Sequence, residues 1–132
     1  MLLDEIGSRL TAQGVCSTAP SSTGWRLCYR DPIPTPARVI CVVPSGGFRQ
    51  DGKAPIDRPT FQLLIRGSSQ DGAALETKVN DAVRALNCFD GLLNGWYYAD
   101  IQKQGDVLWL GRDENQRPLY SVNFWTVRSR TS

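Results

Sequence analysis

Val39-Ile40-Cys41-Val42-Val43, then Pro44-Ser45-Gly46-Gly47, then a polar stretch to Asp57, then Arg58-Pro59-Thr60-Phe61-Gln62-Leu63-Leu64-Ile65-Arg66-Gly67 and an amphipathic run to Leu86 set the order of elements. Five apolar residues bounded by turn formers read as a buried strand. The two glycines predict a turn at its end, and Gly46 to Asp57 reads as an exposed loop. A structureless loop of about a dozen residues within a compact domain is either functional or disordered. Phe61, Leu63 and Ile65 alternate with Gln62, Leu64 and Arg66, the period of a half-buried strand. Pro59 stands near its start, where a missing donor is tolerated. Ser68 or Ser69 could cap the helix that follows. Its stripe is Leu75, Val79, Ala82, Val83 and Leu86, with Glu76, Lys78, Asp81 and Arg84 mainly on the other face.

Outward from that segment the signals are shorter. Leu3, Ile6 and Leu10 have helical spacing, Asp4 and Glu5 suit the first turn, and Gly14 is a stop. Ser17 to Gly24 reads as a loop and Trp25 to Arg30 as a short strand. Asp31-Pro32-Ile33-Pro34-Thr35-Pro36 is an extended connector, because proline lacks a donor and biases its predecessor away from helix. Trp96–Gln102 and Val107–Leu110 read as two strands joined by a hairpin turn at Lys103-Gln104-Gly105-Asp106. Asp113-Glu114-Asn115-Gln116 reads as a second turn before a long strand, Leu119–Arg128. The expected architecture is a single α+β domain over residues 1–132. It has a mixed, mostly antiparallel sheet of about six strands, with two helices packed on one face.

Composition narrows function. Net charge is +2, so no strong field points to nucleic acid or an acidic membrane. Twelve of the fifteen basic residues are Arg, which suits planar ion pairs and protein contacts. The chain has no His, which removes His-dependent triads and most neutral-pH acid–base schemes. Cys16, Cys28, Cys41 and Cys88 form no Cys-x-x-Cys pair, so zinc is not expected, and reduced thiols of a cytosolic protein are. Cys41 and Cys88 read as small core residues. No signal peptide or membrane span is expected.

The residues that resemble chemical motifs have simpler readings. Gly47-Phe48-Arg49-Gln50-Asp51-Gly52-Lys53 matches the first seven positions of a phosphate-binding loop. The eighth is Ala54, where a hydroxyl should hold magnesium, and Pro55 and Pro59 follow instead of a helix. Asp106, Asp113 and Glu114 lack calcium-loop spacing and read as solvated turns. Asp100 and Asp106 show no sign of a shared cleft. Trp96, Tyr97, Tyr98, Trp109, Phe124 and Trp125 could stack bases, but no basic cluster interleaves them, and core packing is preferred for most. On the last strand Tyr120, Val122 and Phe124 share one face. Trp125 then points outward, as an interface residue or beneath a covering element.

The proline-led entry at Pro32-Ile33-Pro34, the strand ending in Gly46-Gly47, the strand from Arg58-Pro59 to Arg66-Gly67, the helix, Gly111-Arg112-Asp113-Glu114 and the strand holding Asn123-Phe124 resemble, in that order, the tail terminators ("minor capsid" proteins) of long, non-contractile-tailed phages. The likeness runs from about Pro32 to Arg128. It implies a non-enzymatic virion protein of the tail and neck, assembled in the host cytoplasm, with no cofactor or metal. Its copies would form a ring, usually a hexamer, on the last ring of the tail tube. The ring would stop tube growth and present a surface to the head-completion or connector protein. The tape-measure protein is a further possible neighbour, and genome DNA would pass through the lumen without sequence-specific binding. A head-closure or connector adaptor of the same virion is the alternative. The expected assembly surface comprises Gly46, Gly47, Phe48, Arg49, Lys53, Arg58, Arg66 and Trp125.

Overall fold

A computed structural model describes residues 2–19, 24–47 and 56–130. The elements are α1 (Leu2–Ala12), β1 (Arg26–Tyr29), β2 (Val39–Gly47), β3 (Ile56–Asp57), β4 (Pro59–Arg66), α2 (Ala73–Leu86), β5 (Gly91–Leu93), β6 (Trp96–Arg112) and β7 (Pro118–Arg130). The sheet runs β1-β2-β4-β7-β6-β5, with β3 also on β7. Only β1 and β2 are parallel among these pairs. This is the expected α+β class.

Both helices lie on one face because their apolar stripes match that of the sheet. Leu3, Ile6 and Leu10 of α1 and Leu75, Val79, Ala82 and Leu86 of α2 join Ile40, Val42, Phe61, Leu63, Ile65, Val122 and Phe124 in one core. Phe61 and Phe124, opposite each other on β4 and β7, stack with centroids 5.1 Å apart. Gly14 ends α1 at φ +73°, a left-handed cap that glycine adopts without a Cβ penalty. The Val15 amide then donates to the Leu10 carbonyl and Gly14 to Thr11, and both Leu10 and Val15 are buried.

The parallel β1–β2 pair is closed by the proline connector, residues 30–38. Nine residues, bent at several points, do here what usually takes a dozen or more with a helix. Ile33 of the connector packs on Cys28, Val39 and Cys41, a small apolar cluster on the sheet face away from the helices.

Three expectations are corrected. Gly46 and Gly47 continue β2, with Gly47 opposite Pro59, rather than forming a turn. The proposed hairpin at Lys103–Asp106 does not exist. Both halves belong to β6 and pair with β7, and between Gln104 and Leu108 the strand advances four residues while β7 advances two, from Asn123 to Ser121. Gly105, at φ +74°, takes up the excess as a bulge that bends the strand. Finally, Gly72 stands at the α2 N-cap position, with no side-chain cap from Ser68 or Ser69.

Asp71 is the polar anchor at that helix entry. It is 6% exposed, accepts from the Ser68 amide at 2.8 Å and forms a two-point ion pair with Arg38 at 2.7 and 2.8 Å. The Arg38 guanidinium, helped by the Ser68 amide, holds its pKa at about 2, below the usual 3.8, against the opposing effect of burial. The folded state therefore binds this proton less readily than the unfolded state. The resulting stability, about 2 kcal/mol, is complete above the usual carboxylate range and lost as pH falls from about 4 through about 2. Urea midpoints measured across that window should fall steeply in the native protein and less in Asp71→Asn, whose stability at neutral pH should already be lower.

Candidate functional site

The structure gathers part of the expected surface at one end of the sheet. Gly47 at the end of β2 pairs with Pro59, Thr60 pairs with Trp125, and Arg58 lies half-buried between β3 and β4. The Ser45 hydroxyl meets that of Thr60 at 2.9 Å and ties the strand ends together. Trp125 is half-buried on the face away from the helices, between Thr60 and Gln102, while Val122 and Phe124 point into the core. Phe48, Arg49 and Lys53, and with them most of the phosphate-loop-like motif, lie outside the described residues.

Arg66 does not belong to this group. It sits at the opposite end of β4 and is 5% exposed. Its Nε donates to the Ala37 carbonyl at 2.9 Å and its Nη2 to the carbonyls of Ile33 and Pro36. Burial lowers its proton affinity first, and the nearby Arg117 adds to that. Arg66 clamps the proline connector and is not an exposed anchor.

Beneath the gathered end lies a buried charged cluster that the sequence did not reveal. Glu5, fully buried, accepts from the Tyr98 hydroxyl at 2.6 Å and from Arg128 Nη1 at 2.9 Å. Arg128 also reaches Asp57 of β3 at 3.4 Å and lies over the Trp96 ring, 3.9 Å from its centroid. Burial, then the bond to Glu5, pushes the Tyr98 hydroxyl pKa up. The cluster pins α1 and the short β3 to β6 and β7. Glu5 had only the role of a first-turn acid in the sequence. The available signal was its place at the border of the α1 apolar stripe.

A second feature missed by sequence is the far end of β6. Leu108, Trp109 and Leu110 are 49%, 54% and 50% exposed. Trp109, expected in the core, meets the edge of Tyr120, at 5.1 Å between centroids. β5 covers β6 only over Trp96–Tyr98, so among the described residues the rest of β6 has β7 on one side and no strand on the other. The signal was the unbroken run Val107-Leu108-Trp109-Leu110. A strand apolar on both faces is normally covered on both.

The remaining candidates are structural. Asp113 accepts from the Asn115 and Arg117 amides and from Arg117 Nε, and the Arg117 amide leads the lowering of its pKa. Cys16, Cys28 and Cys41 are buried free thiols; Cys88 is free but exposed, at φ +63°, and not a core residue. Among the described residues no group of three or more Cys, Asp or Glu could hold a metal ion. No described helix is long and apolar enough to cross a membrane.

No curated protein matches the chain. A solved structure described as "Virion of native gene transfer agent (GTA) particle" superposes with a TM-score of 0.72 at 12% identity, over 98% of this chain and 95% of that one, a likeness of fold. The family described as "Bacteriophage tail terminator protein" matches residues 9–129, from within α1 almost to the end of β7, and the chain belongs to that family.

Proposed function

We propose that this structural virion protein is the terminator of a long, non-contractile tail. Its copies close into a six-fold ring on the last ring of the tail tube, halt tube growth and present the opposite surface to the head-completion or connector protein. Genome DNA passes through the lumen without sequence-specific contacts. Assembly takes place in the host cytoplasm, and the protein carries no catalytic role and no cofactor. The observation that carries this reading is the family match across residues 9–129. The open edge of β6 and its exposed apolar residues support it, since a subunit of a closed assembly keeps surfaces for its neighbours.

Deleting the gene tests it. Electron micrographs of the lysate should show tubes of excessive and variable length that fail to join filled heads. Tubes of normal length beside heads that leak their DNA would overturn the terminator reading in favour of a head-closure adaptor. The gathered sheet end is expected to be the joining surface. Trp125→Ala supplied in trans should lower the yield of joined particles about thirtyfold, the equivalent of about 2 kcal/mol at a buried anchor, while the melting temperature shifts by only a few degrees. Outright unfolding of that variant would make Trp125 a packing residue.

A further inference from the structure

We infer that neighbouring copies meet head to tail, Trp109 of the exposed Leu108-Trp109-Leu110 ridge of one copy seating in the groove between α2 and the turn that ends α1 of the next. The inference deepens the ring reading and rests on it for the closed geometry. The groove, about 320 Å³ and open to solvent, is lined by Gln13, Gly14, Val15, Asp81, Arg84 and Ala85. It has room for one indole. On α2 these residues lie on the flank toward α1. Glu76, Val79 and Asn80 line a smaller hollow with Val107 and Tyr120 on the flank toward the ridge. At about 100° per residue, positions 76 and 80 are turned by about 100° or more from 81 and 85, with Arg84 on the outer surface between the two flanks. Ridge and groove therefore occupy different sides of one subunit, as a heterologous, ring-closing contact requires.

The occupant is a second copy on grounds of charge and area. Arg84 is 80% exposed and held to Asp81 only at 3.8 Å, a surface pair that costs little to re-pair. Asp106, exposed beside the ridge, offers it a carboxylate, and Trp109 offers its guanidinium an aromatic face. The three ridge side chains, divided between the two faces of β6, expose together on the order of 300 Å², well short of the roughly 800 Å² per partner of a stable free-standing complex. Such a contact holds when every subunit makes it twice in a closed set.

Disulfide trapping tests this in full-length protein carrying Cys88→Ser, which removes the exposed native thiol. Leu110→Cys and Gln13→Cys proteins are mixed and oxidised with copper phenanthroline. Mixed cross-linked pairs should exceed Leu110→Cys self-pairs by about tenfold, and adding Trp109→Ala to the Leu110→Cys protein should reduce them by about as much without altering its melting temperature. Protein carrying both cysteines should give a ladder ending at a closed species. Predominant Leu110→Cys self-pairs would mean two-fold pairing of β6 edges and overturn the inference. So would a mixed yield no higher than that of exposed Ser8→Cys with Gln13→Cys. A ladder running on into open filaments would uphold the contact and overturn the closed ring.

Discussion

Arg128→Met is expected to destabilise the protein by about 3–5 kcal/mol, the loss typical of removing one partner from a buried ion pair. Glu5 is fully buried, and Arg128 is a cation 2.9 Å from its carboxylate. Methionine keeps much of the side-chain length but offers no donor, so the buried carboxylate loses this charged partner. Asp57 and the Trp96 face lose the same guanidinium, which loosens β3 from β7. Against a total of about 5–15 kcal/mol for a domain, such a loss leaves little margin. Urea titration at neutral pH should show the midpoint fall with an unchanged slope. The double variant Glu5→Gln/Arg128→Met should recover much of the loss, because a neutral amide can still accept from Tyr98 and demands no cation. A single Arg128→Met variant within about 1 kcal/mol of native would show that the cluster is not the pin between α1 and the sheet.

What was legible in the sequence was local. The stripes of α1 and α2, the alternation in β4, the Gly14 stop and the facing of Val122 and Phe124 each follow from a repeat over a few residues, and the structure has them where they were expected. The misread places depend on partners far along the chain. Lys103-Gln104-Gly105-Asp106 carries turn chemistry, and a glycine with positive φ serves a hairpin or a bulge equally. The choice falls to a bulge because β7, more than ten residues on, pairs with both halves of β6. Asp71 reaches Arg38 across 33 positions, so helix entry is settled by an ion pair rather than by the serines beside it. Glu5 and Arg128 are 123 positions apart. Trp109 shows the opposite case: its apolar character suggested the core, but among the described residues it stays 54% exposed.

Arg66→Ala is expected to cost about 3 kcal/mol of stability, through the connector between the parallel strands. The carbonyls of Ile33, Pro36 and Ala37 converge on one guanidinium, and Arg117 Nη1 holds that of Pro34 at 2.7 Å. The prolines have no amide to offer a ladder, so this segment cannot be held by strand pairing, and its acceptors need donors from elsewhere. Bonds to a charged donor contribute about 1.5–3 kcal/mol, and buried acceptors left without one add to the loss. Arg66→Lys should rescue little, because a single ammonium cannot fork across carbonyls on both sides of Pro36. Arg117→Ala should cost less, being toward the solvent side. The double variant should depart from additivity, since both side chains hold the same nine residues. Thermal melts of the four proteins, read beside the yield of joined particles, separate two roles. If Arg66→Ala lowers stability and particle yield together, and Arg117→Ala follows it in proportion, Arg66 acts by holding the crossover over Cys28 and Cys41. A native melting curve with lost joining would instead return Arg66 to the assembly surface.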